Sequence, residues 1–436
     1  MTDPALAKPT PTQIAWQDLE FGLFIHMEHA PEGRPDHVPP ASEFNPARLD
    51  TDQWLQAAQA CGAKLAVFTA KHVGGFCMWP TEGLDYSVRQ SSWRDGKGDV
   101  VGDFVNSCHK YGIEPGIYIM YQPNHYFGWI EREWKGAPEE FERYQQIFEL
   151  QVTELCTRYG RLAEIWFDGG FPTPEGVWRY GHDGYDRGPN IKPILDEHQP
   201  DIVVTQGPLS QARWSGTEAG AAWYPCWSTI PDAMAERRLA SEDERYDLLG
   251  HGIPGAASWI PAECCTTLRT PHEWFWKPDG QKLKSVDHLV GLYYRSVGRN
   301  ANLLLNANPD ADGLIPEEDM AVYAGLGAEL KRRFGNCVAE TSGAGDEIEL
   351  LFDEPRVFDH VVIMEDIAHG ERIRSYVVEA YIDGLFGSSP WYELCRGSCV
   401  GHKRIHLIPP FESTAVRLKC TESVEEPRVR QLALYG

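Results

Sequence analysis

The chain has 436 residues, and 64 Asp and Glu against 40 Lys and Arg give it a formal charge of −24. Nucleic-acid phosphate and anionic lipid would both be repelled by such a chain, so neither is an expected partner. A hydrophobic fraction of 42% with 11% aromatic residues excludes disorder and provides for packed cores, and the length points to roughly two or three domains. No apolar run of about 18 residues is present, so no segment is expected to span a bilayer. The start, MTDPALAKPTPTQIAWQDL, has neither the basic nor the apolar region of a secretory leader, which makes a cytoplasmic location the expectation. The 11 cysteines contain no CxxC pair and read as buried free thiols.

Phe21–Ile25 is the first short apolar run. Three helices then share one grammar. Asp50-Thr51 opens a stretch with Trp54, Leu55 and Ala58 on one face, closed by Gly62. Asp99 opens another, with Val101, Phe104, Val105 and Cys108, closed by Gly112. Pro138 leads a third, in which Phe148, Val152, Leu155 and Tyr159 precede Gly160. Acidic starts and glycine ends are helix caps, and the spacing of the apolar residues is helical. After each glycine comes an apolar run that reads as a strand buried on both faces: Leu65–Phe68, Gly116–Ile119 and Glu164–Phe167. Ile202–Thr205, Ala256–Ile260 and Leu303–Leu305 continue the series. The pattern predicts a (β/α)8-type, TIM-like barrel over residues 1–338. A doubly wound open sheet is the competitor, but no glycine-rich phosphate loop follows Phe21–His26. From Glu347 the pattern changes to short alternating runs, Ile348–Leu351, Val361–Met364, Tyr376–Ile382, Lys403–Leu407 and Ala415–Leu418. These predict an all-β sandwich over residues 339–436.

Reactive groups of such a barrel gather where its strands end. That rule selects His26, then Lys71 and His72, then Tyr121, Asn124 and His125, then Asp168 beside Gly169 and Gly170. It also selects Glu218 in the loop Arg213–Gly220, and Trp259 with Glu263 at the end of a later strand. Each residue has a bland reading: Asp before Gly is a common turn residue, loop glutamates are usually solvated, and single histidines are often structural. Together, two carboxylates, two histidines and a set of aromatic faces (Trp79, Tyr118, Trp166, Trp214, Trp259) fit a sugar site. Rings stack on the pyranose, histidines bind hydroxyls, and paired acids handle C1 and the proton. A metal held by His26, His72 and Asp168 is a lesser alternative, since no HExxH-like pair is present.

At these residues the chain resembles the α-L-fucosidases of glycoside hydrolase family 29. The matching segments are Phe21–His26, Lys71-His72 with Gly75-Phe76, Gly98–Val101, Ile165–Gly170, Ser296–Gly298 with Asn300, and Leu303–Asn306. The tail, with Glu365-Asp366, Trp391, Gly401 and Lys403–Ile405, looks like the discoidin-like sandwich that follows this barrel. The resemblance implies a retaining mechanism with Asp168 as nucleophile, no metal and no organic cofactor, acting on a fucosylated oligosaccharide or glycoconjugate. The segment from Arg213 to Glu218 is similar to the acid/base loop of the α-1,3/1,4 subfamily, which points to Glu218, with Glu263 as second candidate. His26 and His72 would bind sugar hydroxyls. One departure matters. The family reads Lys-His-His-Asp-Gly-Phe after the second strand, whereas this chain reads Lys71-His72-Val73-Gly74-Gly75-Phe76. Either His29 or His125 supplies the contact that Val73 cannot make, or the glycone differs, as in an α-L-galactosidase or related glycosidase. A carbohydrate-binding protein that has lost its chemistry is the rival from another class. Trp391 and Tyr392 of the sandwich are expected to be core rather than glycan contacts.

Overall fold

The computed structural model describes residues 6–29, 38–120, 129–130, 133–134, 138–168, 190–206, 209–231, 242–383 and 390–436. An eight-stranded parallel sheet is built, in chain order, from β1 (Phe21–Ile25), β2 (Leu65–Lys71), β3 (Glu114–Met120), β4 (Glu164–Asp168), β5 (Val203–Thr205), β6 (Arg213–Trp214), β7 (Ala262–Thr266) and β8 (Ala301–Ala307). β8 pairs with β1, and a parallel bridge from Thr205 to Ala212 joins the other two edges, so the sheet closes into a barrel.

The helices that alternate with these strands are α2 (Thr51–Cys61), α3 (Val100–Tyr111), α4 (Pro138–Arg158), α5 (Lys192–His198), α6 (Glu242–His251), α7 (Val286–Arg295) and α8 (Glu317–Phe334), preceded by α1 (Pro11–Gln17). Asp50 caps α2 by accepting from Asp52 N at 2.9 Å, and Asp99 caps α3 by accepting from Gly102 N at 2.8 Å. Among the described residues no helix separates β5 from β6. There α1 takes the vacant place, and Trp16 packs against Val203 and Ala212 across the N-terminal mouth.

Two sequence expectations move at this point. The run Ala256–Ile260 is not a barrel strand: Ser258-Trp259 pairs antiparallel with Thr229-Ile230, and the barrel strand begins at Ala262. Arg213-Trp214 is a strand of only two residues, too short to show any periodicity.

Side chains alternate along each strand. Leu23, Ile25, Ile117, Ile119, Ile165 and Phe167 point outward into the core beneath the helices. Phe24, Tyr118, Trp166, Cys265 and Leu304 point inward and fill the barrel. The same alternation makes Asp168 the next inward residue after Trp166, and His26 the next after Phe24. Glu164 is the inward residue before Trp166.

The C-terminal unit is a six-stranded antiparallel sheet in the order β9 (Cys337–Ala344), β14 (Arg428–Tyr435), β10 (Glu347–Glu365), β13 (Arg404–Ser423), β11 (Ile373–Tyr381), β12 (Trp391–Gly397). The long strands β10 and β13 pair along their lengths across two irregularities, so runs that read as four strands are two. Val361 and Ile363 face the sandwich core, while Val362 and Met364 face Tyr293, Tyr294 and Phe334 of the barrel unit. Both faces of this stretch are therefore covered.

Asn300 pins the joint. It takes φ +65° and donates to Cys226 O at 2.8 Å, Ser228 Oγ at 3.1 Å and Glu371 Oε1 at 2.8 Å, while accepting from His402 N at 2.6 Å. Trp391 lies under the Arg417 guanidinium at 4.2 Å, and Tyr392 is 50% exposed, so the expected core role fails for Tyr392. All eleven cysteines are free, and all but Cys337 and Cys395 are buried. Among the described residues, no helix is long and apolar enough to cross a membrane.

Candidate active site

The C-terminal ends of the barrel strands carry a cluster of rings, of which His26 and Phe275 line a cavity. The His72 imidazole stacks on Tyr118 at 5.1 Å and 13°, and Tyr118 in turn stacks on Trp166 at 6.0 Å and 24°. On the other side His26 stacks on Trp274 at 4.8 Å, and Phe275 meets both histidines edge-on. Trp214 and Val73 pack against the same interior cluster.

Asp168 ends β4 and is partly exposed. Its Oδ2 accepts from the Tyr118 hydroxyl at 2.7 Å. Burial, and after it the charge of Asp168, raises the Tyr118 phenol well above its ordinary range, so Tyr118 keeps its proton and stays a donor. The charges of Glu28 and Glu218 act on the same phenol. Glu218 sits on the loop after β6, where Gly216 and Gly220 take φ +83° and +69°, left-handed turns that suit glycine. Its Oε2 accepts from His272 Nε2 at 2.6 Å, and His272 Nδ1 lies 3.3 Å from Thr267 Oγ1. Arg213, just before this loop, does not face the cavity. Its guanidinium is buried and donates to the carbonyls of Leu249, Ile260 and Trp227, fixing the base of the loop.

His26 is buried, and burial together with neighbouring His72 holds its imidazole well below the usual range, so it is neutral. Its Nδ1 lies 3.2 Å from Phe24 O and 3.0 Å from Asn306 Nδ2. Asn306 Nδ2 also lies 3.2 Å from the carbonyl of Trp274, so β8 ties the histidine to the ring that stacks on it.

Other expected positions lie elsewhere. Trp79 is fully buried in the outer core, where its indole donates to Glu154 Oε2 at 2.8 Å. Trp259 lies at the N-terminal mouth and donates to Gln17 Oε1 at 3.1 Å, while Gln13 Nε2 donates to its carbonyl at 2.8 Å. Glu263 is near the start of β7, not past its end. It is fully buried and accepts from Trp166 Nε1 at 2.7 Å, below the indole that floors the cavity. Lys71 points out of the barrel to Gln151 at 2.8 Å, and burial pushes its ammonium down to about 8. His29 reaches Pro40 O at 2.8 Å and packs among Phe44, Phe76 and Tyr86, so it does not replace the contact absent at Val73. Tyr121, Asn124, His125, Gly169 and Gly170 lie outside the described residues. Among the described residues no three His, Cys, Asp or Glu side chains are grouped to hold a metal.

Sequence reasoning missed Glu28, His272, Trp274 and Phe275. The last three belong to the stretch after β7, whose strand was placed too early. Two steps of chain from His26 lead to Glu28, which shares the inward parity of Phe24 and His26.

A family model described as α-L-fucosidase matches residues 36–333. The chain belongs to the α-L-fucosidase family. It is 30% identical over 472 residues to α-L-fucosidase 1 of Arabidopsis thaliana, spanning 99% of this chain and 88% of that protein. A crystal structure of a candidate α-L-fucosidase from Bacteroides thetaiotaomicron superposes with a TM-score of 0.87 at 38% identity, covering 99% of each chain. A glycoside hydrolase family 29 fucosidase of Ruminococcus gnavus in complex with fucose shares the fold, with a TM-score of 0.79 at 20% identity over 100% of this chain and 96% of that one. This α-L-fucosidase family member is a glycoside hydrolase, which sets aside the reading of a barrel without chemistry.

Proposed function

We propose that the chain is a retaining exo-glycosidase that removes terminal α-L-fucosyl residues from fucosylated oligosaccharides or glycoconjugates. The observation that carries this reading is the Tyr118 hydroxyl. It donates to Asp168 at 2.7 Å and also feels the charge of Glu218, so an acid at the end of β4 and one on the loop after β6 act on one phenol. In this reading Tyr118 aims the Asp168 carboxylate and stabilises its ionised form with a short hydrogen bond. Asp168 attacks C1, the glycosidic C–O bond breaks, and Glu218 gives its proton to the departing oxygen. Glu218 then takes a proton from water as that water displaces Asp168 from C1. Such a double displacement works with the two carboxyl groups about 5–5.5 Å apart. Neutral His26 and the His72 ring serve the sugar hydroxyls, and the faces of Trp166 and Trp274 serve its apolar side.

The α-1,3/1,4 preference is part of the proposal. Its support is the loop bearing Glu218, anchored at its base by Arg213 and held at its tip by His272. A second reading, an α-L-galactosidase, is favoured by one feature. A cleft of about 370 Å³ adjoins His26, Glu28 and Phe275 and offers room for an extra hydroxyl.

Proton NMR of the first-formed sugar tests the mechanism: α-L-fucose appearing first is expected, and the β-anomer first would overturn it. A panel of α-1,2, α-1,3, α-1,4 and α-1,6 fucosyl oligosaccharides beside aryl α-L-fucoside and α-L-galactoside tests linkage and glycone. Equal rates across the linkages would remove the subfamily assignment.

A further inference from the structure

Glu28 is a carboxylic acid that the mechanism above does not use. Three residues past the end of β1, it is buried in the wall of the cavity with 1% of its side chain exposed. Its two oxygens have different surroundings. Oε1 accepts from Gly74 N at 2.5 Å. Oε2 has no hydrogen-bond partner among the described residues and lies 3.6 Å from His72 Nδ1. His72 is the ring that stacks on Tyr118 at the sugar-facing wall.

We propose that Glu28 is a positioning residue that sets the tautomer of His72, and so decides whether this ring offers the sugar a hydrogen-bond donor or an acceptor. The proposal rests on reading this mouth as the glycone pocket. Because Gly74 N–H fixes Oε1 as an acceptor, a proton on Glu28 must sit on Oε2. From there it points at His72 Nδ1, which then accepts, and the ring carries its hydrogen on Nε2 as a donor. Placing that proton on the ring as imidazolium also leaves Nε2 a donor. When the pair loses one proton to solvent, Nδ1–H donates to the ionised Oε2 and Nε2 becomes an acceptor. The hydrogen bond on one edge of an imidazole dictates what the other edge can do. At 3.6 Å the pair is longer than a hydrogen bond, and contacts of this kind tighten when ligand binds.

Burial pushes the Glu28 carboxyl up to about 8, against the pull of the Gly74 and Gly75 N–H groups. The groups that face it are His26 on its own segment, His72 after β2 and Tyr118 on β3, with Glu43, Lys277 and Asp310 across the adjoining cleft. His26 and Tyr118 hold their protonation states through this range, the first neutral and the second protonated. Val73, next to His72, supplies no donor of its own, so the tautomer of His72 carries more of the recognition here.

The test compares the full-length chain with Glu28→Gln. In the amide the carbonyl must face Gly74 and the NH2 must face His72, so Nε2 is locked as a donor at every pH. For the wild type, KM on an aryl α-L-fucoside is expected to rise about fivefold between about pH 6 and about pH 9, the worth of one neutral hydrogen bond. For Glu28→Gln the ratio of KM at the two pH values is expected to stay within about twofold, whatever its absolute level. In parallel, the ¹⁵N shifts of the His72 ring are expected to exchange from the Nε2–H to the Nδ1–H pattern in the wild type and not in the variant. The same alkaline rise in Glu28→Gln, or one unchanging His72 tautomer in the wild type, overturns the proposal. The NMR reading needs no turnover, so it can fail while the roles of Asp168 and Glu218 stand, and the reverse.

Discussion

One strand carries two carboxylates, and the two ends of the barrel make different things of them. Glu164 and Asp168 are both inward residues of β4, separated by Trp166 and by about 13 Å of strand. At the N-terminal end Glu164 is sealed under α1. Trp16 Nε1 donates to it at 3.0 Å, Thr205 donates to its other oxygen, and it is fully buried. At the C-terminal end Asp168 accepts from Tyr118 and is partly exposed. The lower carboxylate shares its burial with Glu263. Burial and the charge of Glu164 push Glu263 well up, and burial raises Glu164 as well, so the pair holds a proton. A Trp thus neighbours a fully buried acid at the lower end of the strand and a partly exposed one at the upper end.

The sharpest break of this comparison comes at Asp168. Asp168→Gly should lower kcat on an aryl α-L-fucoside by at least about 10³-fold without changing the unfolding midpoint, and azide should restore part of the rate. Undiminished turnover would remove Asp168 from the mechanism. Glu218→Gln should cost about 10²–10⁴-fold on a fucosyl oligosaccharide. The loss should be far smaller on a fucoside whose leaving group needs no proton, and equal losses on the two substrates would count against the acid role. The lower end should respond in stability instead. Trp16→Ala should cost about 3–5 kcal/mol in denaturant unfolding while leaving KM of the folded enzyme within about twofold.

A smaller effect separates the two ends by pH. Glu164 and Glu263 both have carboxyls raised above 4.5, so the folded chain keeps protons that the unfolded chain releases above that value. The folded state then binds more protons, and the stability contributed by the pair falls as pH rises from about 4.5. Glu263→Gln should flatten this slope in thermal melts taken across the acid range, and an unaltered slope would show that the pair does not titrate on unfolding. Least of all, His272→Ala should lower kcat about tenfold by freeing the Glu218 carboxylate from its partner, with KM nearly unchanged.

Much of this was open to reading in the chain. Asp50 and Asp99 with Gly62 and Gly112 mark helix caps by local hydrogen bonding, and Leu65–Phe68 or Glu164–Phe167 announce buried strands by composition. The end of β4 follows from the same run, which is why Asp168 is legible as the residue at a strand's end. Where local signal is thin the reading slipped. β6 has two residues, β7 was traded for the apolar ribbon at Ser258-Trp259, and the acidic stretch Asp353–Arg356 looks like a turn although it continues β10. Residues move with these strands: Glu263 lies near the start of β7 and Trp259 in the antiparallel ribbon, and the cluster from His272 to Phe275 follows a strand end that the sequence does not mark.

The sequence by itself determined which segments are helix or strand, that eight-stranded closure is the way to bury runs apolar on both sides, and that acids follow some of those runs. Those are consequences of periodicity and capping, which act over a few residues. Only the tertiary structure decided which acid faces solvent and which is plugged. Trp16 and Glu164 are 148 residues apart, His272 and Glu218 have α6 and β7 between them, and no local pattern records such meetings. Strand register, which turns every second side chain inward, and the helix that occupies one mouth of the barrel buried Glu164 completely and left Asp168 partly exposed at the other mouth.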